Sequence, residues 1–165
     1  MFELKAISSA AISEALERVE RYRLLNEPVL AESICRDVLQ ADPGNAQARI
    51  DLILSLSDQF PDGLTKYREA RDLAVGIEDE YERNYYSGIV RERRAHAHFQ
   101  QRTLGSGALV YNLLREAMEF YETAEDLRPP DNADTLLRWN TCARIINDHD
   151  HVEPERETVA PIELE

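Results

Sequence analysis

The run Leu39-Gln40-Ala41-Asp42-Pro43-Gly44-Asn45 closes a 34-residue unit that opens at Ile12, and the reading of that unit decides the fold. Ile12, Ala15, Val19 and Tyr22 recur at helical intervals and form one apolar stripe. After the break at Asn26-Glu27-Pro28, Ala31, Ile34, Val38 and Leu39 form a second. Two amphipathic helices joined by so short a turn lie antiparallel. Alanine at 31 lets the two backbones approach closely, and Tyr22 fills the wider space nearby. Pro43 cannot continue a helix, while Gly44 and Asn45 tolerate the turn that starts the next one. One such hairpin leaves a face uncovered, so it calls for stacked neighbours.

Candidates for those neighbours follow along the chain. Leu52, Ile53 and Leu56 mark a third helix, Phe60-Pro61-Asp62-Gly63 a turn, and Tyr67, Ala70, Ala74 and Ile77 a fourth helix. A fifth, from about Glu78 to Arg102, has its stripe at Tyr81, Tyr85, Ile89, His96 and Phe99. Beyond Gly105-Ser106-Gly107, a sixth turns Val110, Leu113, Ala117, Tyr121 and Ala124 inward, and after Asp131-Asn132 a seventh presents Leu136, Trp139, Ala143 and Ile146. The first unit resembles the tetratricopeptide repeat (TPR) family, with Tyr22 at the eleventh position, Ala31 at the twentieth and Pro43 at the thirty-second. Ala117, Tyr121, Ala124 and Pro129 keep the family's intervals for positions 20, 24, 27 and 32. The register between these two segments is looser: Arg49 stands where the family prefers a large aromatic, and the fifth helix is longer than a TPR first helix. The resemblance implies an all-α, right-handed stack of three antiparallel TPR-like hairpins closed by a capping helix, about seven helices in all. It sets residues 1–7 apart as a lead-in, 8–147 as the helical domain and 148–165 as a tail.

Composition agrees with a single small helical domain. At 165 residues the chain supports one core, and its Ala, Leu, Glu and Arg favour helix. Glu14 to Arg18, Glu17 to Arg21 and Glu32 to Arg36 each place an acid four residues before a base, the better order on a solvated helix face. No apolar segment reaches the roughly 20 residues that span a bilayer. Met1-Phe2-Glu3-Leu4-Lys5 lacks the basic start and apolar core of a secretory signal, so the cytosol is the expected compartment and no membrane partner is expected. Cys35 and Cys142 lie on separate helices without metal-type spacing and read as small buried thiols.

The net charge of −13 is unevenly spread. Residues 148–165 hold seven acids against Arg156, with two prolines, and read as a disordered acidic tail. Residues 83–102 hold Arg83, Arg91, Arg93, Arg94 and Arg102 against Glu92. Arg91, Arg94, His98 and Arg102 fall on one narrow side of a helix, which is either a solvated polar face or an anion-binding stripe. Nucleic acid is not the expected owner of that stripe, because the overall charge opposes its approach. An acidic peptide or the chain's own tail fits better.

Signatures of chemistry are wanting. Gly105-Ser106-Gly107 follows a helix and lacks a P-loop lysine. Glu116, Glu119, Glu122 and Glu125 fan around their helix, and no Gly-x-Ser-x-Gly or His-Glu-x-x-His occurs. His96 and His98 stand two apart on a helix and point to different sides. His149 and His151 would offer adventitious metal affinity from the tail. No catalytic residue, resident metal or cofactor is expected.

The expected function is therefore a non-catalytic adaptor. A helix or extended peptide would lie on the concave face lined by the first helices of each hairpin. Glu20, Arg23, Gln47, Asp51, Asn84, Arg91 and Arg94, with His98 and Arg102, are the candidate partner-binding residues. The family's carboxylate clamp is not expected, since the corresponding inner positions are Leu16, Glu20, Gln47 and Asp51. A dedicated chaperone or a subunit of one larger assembly is the alternative within the binding class. An enzyme-accessory or metal-handling protein is the alternative outside it.

Overall fold

The computed structural model describes residues 2–101 and 105–155. Seven α-helices follow one another: α1 (Ile12–Leu24), α2 (Pro28–Ala41), α3 (Ala46–Ser57), α4 (Leu64–Val75), α5 (Glu80–Gln101), α6 (Ser106–Leu127) and α7 (Asp134–Asp148). No strand occurs among the described residues. Each helix packs on the next in sequence, and α1 also touches α3 and α3 touches α5, so α1, α3 and α5 form one layer of a stack of hairpins. Local chemistry sets the joints. Pro28 begins α2, where its missing N–H costs nothing, and the Asn45 side chain caps α3 by accepting from the Ala48 N–H at 2.9 Å.

Two cores result. The first joins Val19, Ala31, Cys35, Ile53, Leu56, Phe60, Ala70 and Ala74 across α1 to α4, with Val90 and Ala97 from α5. The second joins Ile89, Val110, Leu114, Ala117, Met118, Tyr121 and Cys142 across α5 to α7. Tyr86 packs against both. Ala31 and Ala117 are fully buried, as their small size at those positions leads one to expect. The two cysteines are buried and free, one in each core.

Phe60–Asp62 forms a 3-10 turn where a turn was expected, with Phe60 nearly fully buried in the first core. Two elements depart from the sequence reading. On α7 the buried residues are Thr135 and Cys142, while Trp139, Ala143 and Ile146 pack at the margin of the second core. The helix is rolled toward Arg138, which reaches Glu92. The acidic tail does not begin as a free chain at residue 148: Asp148 ends α7, and His149 to Val152 fold back, leaving Val152 only 3% exposed. Residues 156–165 lie outside the described residues, as does Arg102.

Candidate partner-binding surface

The layer of α1, α3 and α5 gathers four of the expected residues. Leu16, Glu17, Glu20 and Arg23 on α1 face Gln47 and Asp51 on α3 across a hollow of about 450 Å³. The helical spacing of 16, 20 and 23 on one side, and of 47 and 51 on the other, turns them toward the same space. Arg23 is the basic residue of that lining, and it is already engaged: its Nε donates to Asp58 Oδ2 at 2.9 Å. Arg93 on α5 reaches the other oxygen of the same carboxylate, so Arg23, Asp58 and Arg93 link three helices of the layer. Asp51 makes no ion pair with any described residue. Burial raises its pKa above the ordinary aspartate value and Glu20 adds to the rise, while Gln47 and Arg23 oppose it. A cation delivered to this hollow would relieve that cost.

A second hollow, of about 310 Å³, opens on the other flank of α3. Ile50 and Ile77 contribute apolar surface, and Glu78, Asp79 and Glu82 stand at its rim. Its basic residue, Arg49, donates to the Gly76 carbonyl at 3.1 Å. The Tyr86 phenol feels both flanks: burial first, then Tyr85, Glu82 and Asp51, push its pKa up to about 12. The inner layer is thus acidic, with its arginines turned to internal acceptors.

Arg91, Arg94 and His98 lie on α5 but line neither of these hollows. Arg91 packs its guanidinium 4.7 Å from the Phe120 ring centroid on α6, with Nε 3.6 Å from Glu116. Arg94 lies 5.4 Å from the Tyr67 ring centroid on α4 and donates to the Phe60 carbonyl at 3.3 Å. The residues that face α3 from α5 are Tyr86, Val90, Arg93 and Ala97, roughly a third of a turn away at about 100° per residue. Asn84, two turns before Arg91, shares the Arg91 side and donates to the Glu80 carbonyl of its own helix. The sequence pattern puts Arg91, Arg94 and His98 on one side of α5; which neighbours flank them comes from the packing.

Sequence reasoning missed a buried polar knot at the far end of the stack. The Glu92 side chain is only 4% exposed, yet it accepts from Tyr121 Oη at 2.5 Å and from Arg138 Nη1 at 3.1 and 3.2 Å. Arg138 also donates from Nε to Tyr85 Oη at 3.3 Å. Burial works against the Arg138 charge, but Glu92 and the Tyr85 hydroxyl hold its pKa above the ordinary value. Burial, then Glu92, raise that of Tyr121. Tyr121 comes so close to α5 that a Cβ on Gly88 would lie 2.5 Å from its ring. The seven-residue interval from Tyr85 to Glu92, with Gly88 between them on the same side, was the available signal.

His149 and His151 also find a structural use. Their rings lie 4.8 and 5.8 Å from that of Phe99, and His149 Nδ1 is 2.9 Å from the Ile145 carbonyl oxygen. His96 is half-buried, and burial lowers its pKa, Glu92 partly offsetting the effect. Among the described residues no group of three or more His, Cys, Asp or Glu side chains is arranged to hold a metal ion. No described helix is long and apolar enough to cross a membrane.

The chain matches no family model, no curated protein and no solved structure.

Proposed function

We propose that this protein is a non-catalytic interaction scaffold of TPR-like design, and that its inner layer binds a segment of a partner protein carrying basic side chains. The observation that supports this most is the hollow between α1 and α3, where Asp51, Glu17 and Glu20 stand without a free basic residue in the lining and burial already penalises the Asp51 charge. The charge of this layer turns the expected partner chemistry from acidic to basic. Exposed ion pairs contribute only about 0–1 kcal/mol each, so affinity requires several contacts along the layer. The second hollow, with Glu78, Asp79 and Glu82, supplies further ones. Two buried, unpaired thiols suit a reducing compartment, and the cytosol is the compartment we propose.

Zero-length carbodiimide coupling, which joins carboxylates to amines, tests the reading on partners captured from the native host. Cross-links from partner lysines should map to Glu17, Glu20 or Asp51. Glu20→Lys combined with Asp51→Asn should abolish capture at a melting temperature no lower than that of the unmodified protein. Retention of the same partner by that double variant would refute the assignment.

A further inference from the structure

The side of α5 that looks out between α4 and α6 carries a charge that the fold does not neutralise. Both flanking helices pack on α5, and between them Arg94 and His98 stay partly exposed, while the Arg91 side chain is only 12% exposed. Along this strip Arg91, Arg94 and His98 follow at about one-turn intervals; burial, then Arg94, lower the His98 pKa, so the charge of the strip rests on the arginines and His98 offers a neutral ring N–H. Arg91 and Arg93 have carboxylates near them, Glu116 and Asp58. Arg94 has none among the described residues: its contacts are the face of Tyr67 and one long hydrogen bond to the Phe60 carbonyl.

A guanidinium stacked on a ring keeps most of its N–H edge available, and that edge matches a carboxylate bidentately. Phe120 from the α6 side and Tyr67 from the α4 side supply aromatic surface on either flank. The segment that leads into the acidic end leaves from another side: His149 and His151 are held against Phe99, about 100° round α5 from His98, and Val152 is buried.

We propose that this strip is a second docking surface, independent of the inner layer, for an acidic segment of a partner protein whose carboxylates pair with Arg94 and accept from the imidazole N–H of His98 while its apolar side chains lie against Tyr67 and Phe120. A partner could then be held by two surfaces of opposite sign, which fixes the orientation in which it docks.

Fluorescence anisotropy with the full-length chain and a labelled oligoglutamate peptide carrying one phenylalanine tests the proposal. The unmodified protein should bind, and added salt should weaken the complex. Arg94→Glu with His98→Gln should reduce affinity about tenfold or more, a loss of ~1.4 kcal/mol per decade. Arg94→Gln with His98→Gln serves in its place if the reversal lowers the melting temperature. Glu20→Lys should leave peptide affinity within about twofold, since that residue is on the other face; its failure in the coupling experiment would therefore not touch this result. Equal affinity of the unmodified protein and the strip variants, or no binding by the unmodified protein, overturns the proposal. A further full-length variant with Glu155, Glu157, Glu163 and Glu165 each changed to glutamine separates the two sources of acid. If the peptide binds that variant alone, the strip belongs to the chain's own tail and the partner assignment fails.

Discussion

At the scale of single residues, Glu32 carries the clearest electrostatic consequence. It sits on α2 almost wholly buried, and its carboxylate accepts from Arg36 at 2.7 and 3.0 Å, from Gln59 at 2.7 Å and from Lys66 at 2.5 Å. Burial alone would raise its pKa, but the hydrogen bonds from Lys66, Arg36 and Gln59 together outweigh burial, and the net shift is downward. A carboxyl whose pKa is lower in the folded state stabilises the protein above the unfolded pKa, and that stabilisation is lost as pH falls through the folded one. Glu32→Gln should therefore cost about 1–3 kcal/mol at pH 7. Denaturant titrations should show the gap between variant and wild type closing as the solution is taken below about pH 4. A gap that is the same at pH 7 and pH 3 would contradict the assignment. Gly88 makes the complementary steric case. Gly88→Ala would gain helix propensity of about 0.5–1 kcal/mol, yet the new methyl would drive into the buried Tyr121 ring and disturb its bond to Glu92. Overpacking costs typically about 1–3 kcal/mol, so we expect a net fall in melting temperature. A rise would mean that Tyr121 can withdraw.

At the scale of elements, α7 and the segment after it close the stack together. His151 passes so near α6 that a Cβ on Gly107 would lie 1.9 Å from its carbonyl oxygen, and the Val152 N–H turns back to the His149 carbonyl at 2.8 Å. Gly107→Ala should lift this strap while leaving α7 helical, releasing the roughly 1.5–3 kcal/mol that burial of a valine side chain contributes. Amide exchange at Val152 should accelerate by at least tenfold; unchanged protection would show that the strap does not depend on that contact. These elements also show where legibility ends. The α1–α2 hairpin was readable in full because its stripes, proline and turn are all local. The α7 helix was readable as a helix, but its roll was not, since Arg138 turns inward only because Glu92, on another helix, waits for it. The direction of Arg91 and Arg94 was hidden for the same reason. A periodic pattern gives the side of a helix, and only tertiary packing says what stands there.

At the scale of the whole molecule, two cores meet through Tyr86, with Leu54 reaching from the first layer into the second core. Tyr86→Ala should cost about 2–4 kcal/mol, somewhat less than a fully buried aromatic because the ring is half-buried. It should also loosen the coupling between the halves. Calorimetry would then give a calorimetric enthalpy exceeding the van't Hoff value, the mark of departure from two-state unfolding. A ratio of unity in the variant would mean that other contacts suffice to join the cores. Glu20 and Asp51 were legible as acidic inner-face positions, with Arg23 and Gln47 beside them, but the sequence reading expected arginines of α5 to give that face its character. The engagement of Arg23 by Asp58 was not legible, because 35 residues separate them. The division of the cores along the chain has a consequence in time. Every buried member of the first core precedes residue 98, whereas the second is completed only by Val152. During synthesis, then, α1 to α4 can settle together with α5 while the long α6 is still being made, and they offer α6 a surface to build on. Until Val152 emerges, the far half waits with its apolar face open, so this is the interval in which the growing chain most needs shelter.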